Sequence, residues 1–263
     1  MESSPENDRE LTLIEHLIEL RSRLIKAIVA IVLVTLALAP FARQIYSRLA
    51  EPLVRYLPEG SSMIAIDVAS PFLAPFKLVL ILAILIAMPV VIYQLWAFVA
   101  PGLYRHEQRL ARPLLIAAML LFYAGCAFAY FVVFPVVFSF FTAMAPEGVA
   151  VMTDINRYLD FILVLFIAFG LAFQVPVATI LLVAIGVTTP DSLAAKRGYV
   201  VVAAFAVAML LTPPDMISQT LLALPVWALY ELGIVMSRLL LNRNGQRDDG
   251  QAAGRDGEEP SGQ

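Results

Sequence analysis

The chain has 263 residues, of which 60% are hydrophobic and 15% are charged, and its mean hydropathy is +0.83. Soluble domains are roughly 45–50% apolar and about 25% charged, so this composition predicts an integral membrane protein. The sequence has no basic face or motif of a nucleic-acid binder, and its formal net charge is -3. One cysteine and two histidines argue against a disulfide framework and a metal site, and we expect no cofactor.

Six apolar segments follow one another along the chain, and a spanning helix needs about 20 mostly apolar residues. We predict membrane helices at about 24–41, 72–100, 113–141, 158–187, 199–211 and 216–240. The last two form one apolar stretch, which we divide at "TPPD" because adjacent prolines remove two amide donors and favour a turn. The fifth segment is short, so a thinner bilayer or burial against neighbouring helices has to compensate.

The pattern therefore predicts an all-α, polytopic protein with a single membrane domain at residues 13–241. Residues 1–12 form a polar N-terminal tail. Residues 242–263 are polar, and we predict a disordered tail there because such a segment cannot bury enough apolar surface to fold.

The distribution of basic residues predicts the orientation in the membrane. Six spans put both termini on one side. Of the 18 basic residues, those that fall on the opposite side are Arg43, Arg48, Arg55, Lys77 and Arg157. The positive-inside rule therefore makes both termini cytoplasmic.

Four prolines lie inside the predicted spans, namely Pro89, Pro135, Pro176 and Pro225. Each removes a helical hydrogen bond and crowds the preceding turn, which favours a kink. Four bent helices favour a curved wall over a straight bundle. The alternative is that these prolines are merely tolerated, since proline is frequent in membrane helices.

Few polar side chains fall at membrane depth, and Gln174, two residues before Pro176, is the clearest. A polar group in hydrocarbon is expected to face protein or water. Gln174 is equally explained by a functional role and by a hydrogen bond to the carbonyl that Pro176 frees. His16 and His106 lie at the cytoplasmic edge, so the core holds no Ser–His dyad or Asp pair, and we predict that the protein is not an enzyme.

The segment before the first span, "LIEHLIELRSRLIK", carries carboxylates at the edge of the membrane. Glu15, Glu19 and Arg23 are spaced i, i+4 and i+8 on one face of a helix. The simplest interpretation is an i, i+4 Glu–Arg pair on an interfacial helix, which stabilises it by a few tenths of a kcal/mol. A second acid, Glu107, lies among arginines in the loop between the second and third segments, on the same side of the membrane.

Several blocks of the sequence together resemble the TatC family, the multispanning core of the bacterial twin-arginine protein translocase. In chain order these blocks are "HLIELRSRL", "ASPF", "WAFVAPGLYRHE", "FYAGCAFAYFVVFP", "APEGV", "LLTPPDMISQTLLALP" and "YELG". The likeness covers about residues 11–241.

The resemblance implies six helices arranged as a concave, glove-like wall in the bacterial cytoplasmic membrane, with both ends cytoplasmic. It implies recognition of twin-arginine signal peptides on folded cargo. It also implies export of that cargo with the single-span partners TatB and TatA, driven by the protonmotive force, in a complex that holds further copies of the chain.

The family's signal-recognition positions correspond here to Glu19, Arg21, Phe98 and Glu107. Two arginines in tandem call for two anions, because a guanidinium is planar, permanently charged and pairs with carboxylates through two hydrogen bonds. Glu107 and Glu19 are the implied anions.

The family's docking surface for TatB and TatA helices corresponds to Met209, Leu210, Thr212 and Gln219. Some relatives carry Glu where this chain has Gln174, which puts in doubt a titratable role there, and we expect a polar lining residue. For Asp215 a functional role and an N-cap of the sixth segment are both open.

The alternative function from a different class is a secondary transporter of a small solute. An internal repeat and charged residues at the midplane are typical of such transporters. The sequence shows neither, which argues against this alternative.

Overall fold

The computed structural model describes residues 5–48, 66, 69–99, 108–144, 154–211 and 216–255. Its α-helices are α1 Pro5–Leu38, α2 Ser70–Val99, α3 Gln108–Phe128, α4 Phe134–Ala143, α5 Ile155–Ala172, α6 Val175–Ala184, α7 Pro190–Ala195, α8 Arg197–Leu211 and α9 Met216–Arg255. The prediction of a helical, multispanning fold is confirmed. The chain groups into two compact units, Met1–Gly170 and Leu171–Gln263, whereas the sequence predicts one membrane domain.

The helices divide by length into full spans and one shorter apolar helix. The stretches long and apolar enough to cross a membrane are Leu17–Arg48, Ser70–Phe98, Arg112–Phe140, Asn156–Ala184 and Gln219–Leu239. The shorter apolar helix is Arg197–Leu210, where the sequence also predicts a short segment.

Both ends of the helical region extend beyond the predicted spans. α1 begins at Pro5, inside the predicted polar tail of residues 1–12. α9 continues to Arg255, whereas we expect a disordered tail from residue 242. Once the apolar part of a helix is formed, each further residue adds a hydrogen bond without a new nucleation cost, which explains how a polar segment extends it.

The first unit is built on α1 and α2, which pack along each other. α1 continues through a 3₁₀ turn, Ala39–Phe41, which has Pro40 in its first turn. Only 6% of the apolar window of this span is buried inside the protein, so most of its surface is available to lipid. The core of the unit lies instead under α2, α3 and α5, where the fully buried side chains include Leu78, Phe122, Leu163 and Phe169.

A π-turn, Ala129–Val133, separates α3 from α4. It ends just before Pro135, and the N–H of Phe134 donates to the carbonyl of Ala129, five residues back. Pro135 has no N–H with which to continue the ordinary i to i−4 pattern. The wider turn is a known way in which a helix accommodates such an interruption.

The carbonyl that Pro89 orphans within α2 has a side-chain partner. A proline at position 89 cannot donate to the carbonyl of Leu85, four residues earlier. The hydroxyl of Tyr123 on α3 donates to that Leu85 oxygen at 3.2 Å. Because hydrocarbon offers no alternative partner, Tyr123 compensates for the bond that Pro89 removes.

In the second unit α9 packs against both α6 and α8. The core of this unit is a cluster of Val183, Leu193, Tyr230 and Ile234. The Tyr230 hydroxyl donates to the carbonyl of Leu193 at 2.8 Å, which holds the short helix α7 on α9.

α6 ends at Ala184, before the predicted end of the fourth span at residue 187, because Gly186 reverses the chain. Gly186 has φ 72°, a left-handed conformation that glycine adopts without steric cost. The N–H of Gly186 bonds the carbonyl of Val183, and the N–H of Val187 bonds that of Leu182, each at 3.0 Å. This pair of bonds is a Schellman motif, which satisfies carbonyls at the helix end.

Gly233 allows α9 to approach α6 closely. A Cβ at this position would lie 2.1 Å from Oγ1 of Thr179 and 3.0 Å from the backbone Cα of Pro176. The Thr179 hydroxyl is itself held by a 2.8 Å hydrogen bond to the carbonyl of Pro176, so the side chain cannot move aside freely.

We predict that Gly233→Ala lowers the free energy of unfolding by about 1–3 kcal/mol through overpacking, although alanine is the better helix former. The midpoint of thermal unfolding in detergent measures the effect. The matched control is Gly198→Ala on α8, where a Cβ meets nothing within 4 Å and the midpoint is expected to stay or rise. A Gly233→Ala midpoint at or above the parent's would contradict the close approach.

We also predict that Tyr123→Phe destabilises the first unit by about 1 kcal/mol, because the Leu85 carbonyl loses its partner. Tyr93→Phe removes the hydroxyl of an exposed tyrosine on α2 and serves as the control. Thermal unfolding of both variants in the same detergent is the measurement. If the two variants shift the midpoint equally, Tyr123 does not have this role.

Candidate functional site

One face of α1 carries a shallow, open depression between its side chains, here called the groove, near the polar end of the first span. The groove has a volume of about 320 Å³ and is lined by Glu15, Ile18, Glu19, Ser22, Arg23 and Lys26. These positions recur at intervals of three and four residues, so they share one face of the helix. The groove therefore presents two acids and two bases along a single line.

The central contact in this groove is an ion pair between Glu19 and Arg23. Nε of Arg23 donates to Oε1 of Glu19 at 2.9 Å, and Nη2 donates to the same oxygen at 2.5 Å. The i, i+4 pair expected from the sequence is thus confirmed. The side chains remain 34% and 23% exposed, and at such exposure solvent screening keeps the pair weak, typically within about 1 kcal/mol.

Of the other predicted recognition residues, Arg21 shares α1 with Glu19 and Phe98 lies on α2. Arg21 is exposed on α1, two positions from Glu19 and therefore on another face of the helix. Phe98 is half-buried at the end of α2, just beyond the buried Trp96. The structure thus brings Glu19 and Arg21 onto one helix. Glu107 falls outside the described residues.

The predicted docking residues lie around the hairpin of α8 and α9. Leu210 is 87% exposed and Met209 is also exposed, at the end of α8. Gln219, in the first turns of α9, donates through Nε2 to the carbonyl of Phe205 at 3.2 Å. Thr212 falls outside the described residues, as does Asp215.

An apolar groove runs between α8 and α9 beside this hairpin. Its volume is about 230 Å³, and it is lined by Val201, Ala204, Phe205, Thr220, Ala223, Leu224 and Trp227. The Thr220 hydroxyl is turned back onto the carbonyl of Met216 at 2.6 Å. The groove therefore has an apolar lining in which the Thr220 hydroxyl is already hydrogen-bonded.

Gln174 lies in the turn between α5 and α6. Its N–H donates to the carbonyl of Leu171 at 2.9 Å, and its carbonyl accepts from the N–H of Ala178 at 2.8 Å. Pro176 falls in the first turn of α6, where a missing N–H removes no helical bond. The Gln174 side chain is half-buried, as expected of a residue at the edge of the protein interior.

The partners in the polar contacts that join separate helices could not be predicted from the sequence. Lys77 on α2 forms an ion pair with Asp160 on α5, and Ser70 and Asn156 on the same two helices share a hydrogen bond. Both contacts lie toward the start of their helices. Lys77 and Asp160 are visible in the sequence as charges near the ends of apolar segments, but no spacing rule pairs residues that are so distant in the chain.

A second set of unpredicted contacts holds α7 and α8 to α9. Arg197 pairs with Glu231, with Nε and Oε1 2.5 Å apart, and Arg238 pairs with Asp191 at 3.0 Å. Within the described ranges, no group of three or more His, Cys, Asp or Glu side chains is arranged to hold a metal ion.

These features define a polytopic helical membrane protein. Comparison with known proteins then gives its family. The family described as "Sec-independent protein translocase protein (TatC)" matches residues 15–225. The chain therefore belongs to the TatC family, whose members are components of a protein translocase rather than known enzymes.

Individual relatives agree with this membership. The chain is 55% identical to the Sec-independent protein translocase protein TatC of Azotobacter chroococcum mcd 1, over 92% of this chain and 95% of that protein. It is 53% identical to the TatC of Escherichia coli (strain K12), over 90% of this chain and 92% of that protein. A solved structure described as the twin arginine translocase receptor TatC superposes with a TM-score of 0.77 at 36% identity, over 85% of this chain and 98% of that one.

Proposed function

We propose that this protein is the receptor and core subunit of a twin-arginine translocase, which binds twin-arginine signal peptides of folded proteins. The observation that carries the proposal is the partly exposed Glu19 carboxylate in the open groove of α1. Membership of the TatC family supports it, as does the likeness to a solved structure that is described as a receptor.

The chemistry of Glu19 suits a guanidinium ligand. A carboxylate accepts two parallel hydrogen bonds from an arginine, which adds geometric selectivity to charge attraction. Both bonds from Arg23 end on Oε1, so this pair does not use the bidentate geometry that Glu19 can offer. A ligand arginine that bonds both oxygens has a better arrangement than Arg23 does.

The second arginine of the ligand is assigned to Glu107, with Arg21 and Phe98 as further contacts. Phe98 lies at the end of α2, the helix against which α1 packs. An aromatic ring beside a carboxylate can also receive the face of a guanidinium. Arg21, being cationic, is assigned to the backbone carbonyls or acids of the signal peptide.

The α8–α9 hairpin is proposed to dock the single-span partners TatB and TatA. In lipid, helix association depends on packing and interhelical hydrogen bonds. The exposed Met209 and Leu210 and the apolar groove beside them supply packing surface. Gln219 supplies a polar group at the same end, and from the family resemblance we assign Thr212 to the same surface.

We place the protein in the bacterial cytoplasmic membrane with both termini inside, in a complex that holds further copies of the chain and is driven by the protonmotive force. The positive-inside distribution supports the orientation. We retain the concave, glove-like wall with proline-kinked helices and the polar lining role of Gln174 as parts of the proposal.

For signal recognition, we predict that Glu19→Gln weakens binding of a tandem-arginine peptide by about tenfold or more, because a charge-assisted bond is lost. Glu107→Ala is expected to insert normally and to lose crosslinking to the same peptide. The control is Glu15→Gln, which removes a carboxylate from the same groove and is expected to cost less. Equal binding and crosslinking by parent, Glu19→Gln and Glu107→Ala would sink the assignment.

For partner docking, we predict that Leu210→Ala reduces co-purification of a TatB-like partner by about fivefold, which corresponds to about 1 kcal/mol of lost packing. Leu232→Ala is the matched control, because Leu232 is an exposed leucine on α9 about 20 Å along the helix from Gln219. Quantitative co-purification from membranes, with and without a twin-arginine signal peptide, is the measurement. A loss of the same size in the control would show that the effect is not specific to the hairpin.

A further inference from the structure

The groove of α1 already contains a guanidinium, that of Arg23. We propose that Arg23 is an internal stand-in for the ligand's arginine, which occupies Glu19 in the free protein and is displaced when the signal peptide binds. This inference rests on the proposed function of Glu19 as a recognition residue. In this role, Arg23 sets the minimum affinity that a peptide needs in order to remain bound to the receptor.

The geometry of the pair favours exchange over permanent attachment. Nε and Nη2 of Arg23 converge on the single oxygen Oε1, instead of forming two parallel bonds to both oxygens. A bidentate Arg–carboxylate pair is the stronger arrangement. An incoming arginine can approach Oε2 before Arg23 leaves, so the carboxylate need not be left without a partner during the exchange.

Exposure of the pair keeps the free-energy cost of its displacement small. The Glu19 and Arg23 side chains are 34% and 23% exposed, and the groove that holds them is open. Breaking a buried pair would strand a charge in a medium of low dielectric, which is strongly unfavourable. A displaced Arg23 can instead extend its long side chain toward water or lipid headgroups.

The consequence for recognition follows from competition. A ligand's apparent dissociation constant equals its intrinsic value divided by the fraction of receptor in which the binding group is free. Every ligand of Glu19 is weakened by the same factor. A cationic peptide that binds weakly therefore occupies only a small fraction of the receptor. A tandem-arginine peptide that also contacts a second anion binds tightly enough to remain on the receptor.

The test is a double-mutant cycle on the full chain in lipid nanodiscs, titrated with a fluorescent tandem-arginine peptide. Arg23→Gln is expected to tighten binding by roughly two- to fivefold, the range of an exposed ion pair. The gain is expected to be the same factor for a tandem-lysine peptide. It is expected to vanish when Glu19→Gln is also present, because no carboxylate is then left to liberate.

Two further variants separate displacement from general charge and from folding. Lys26→Gln removes one positive charge from the same groove, and its gain is expected to be smaller than that of Arg23→Gln. Arg23→Lys keeps the charge but loses the planar fork, so it is expected to give an intermediate affinity. Unchanged thermal unfolding of each variant shows that the binding data refer to folded protein.

The outcomes distinguish this inference from the proposed function. If Glu19→Gln binds as the parent does, the recognition role of Glu19 fails, and the inference fails with it. If Glu19→Gln weakens binding but Arg23→Gln binds no better than the parent, only the stand-in role is overturned. The stand-in role is also overturned if Arg23→Gln still tightens peptide binding when Glu19→Gln is present, because the gain in affinity then comes from the change in overall charge.

Discussion

The interior of a bilayer offers no hydrogen-bond partner to a peptide group, so every break in a helix has to be compensated by the protein. The prolines show this most directly. The carbonyl that Pro89 orphans accepts the hydroxyl of Tyr123, Pro135 follows a π-turn, and Pro176 falls in the first turn of α6. These three prolines are accommodated in three ways: a side-chain partner for Pro89, a wider turn before Pro135, and a position for Pro176 at which no helical bond is lost.

The same constraint governs where charge is found. Arg197, at the start of α8, reaches Glu231 well inside the span Gln219–Leu239, whereas the pairs Lys77–Asp160 and Glu19–Arg23 lie toward the ends of apolar spans. Charge is tolerated there because long side chains can reach water or headgroups. Lys77–Asp160 and Arg197–Glu231 join separate helices and so have a structural role, whereas Glu19 and Arg23 are neighbours on one helix. Exchange of an exposed i, i+4 pair for a ligand costs the helix only about a few tenths of a kcal/mol.

Prediction from the sequence was most successful where one chemical signal decides the outcome. Apolar length predicts the spans, and the i, i+4 spacing predicts the Glu19–Arg23 pair. Tyr123 could not be assigned to Leu85, since no local pattern states which helix packs on which. The end of α6 at Ala184 depends on Gly186, and the residues around this isolated glycine do not predict its left-handed conformation. Glu107, Thr212 and Asp215 lie outside the described residues, so for them the sequence remains the only guide.

The position of α1 gives the proposed site its particular character. This span is scarcely buried by the rest of the protein, and the helix it packs along is α2, which carries Phe98 at its end. Sites built on helices are held more precisely than sites built on loops, and the two helices that pack together each carry one of the proposed recognition residues. The bond between Tyr123 and the Leu85 carbonyl stabilises α2 at the proline between its two halves, so it also supports the half that carries Phe98. A polar contact at membrane depth thereby helps to position a group at the membrane edge, where the charged ligand is proposed to arrive.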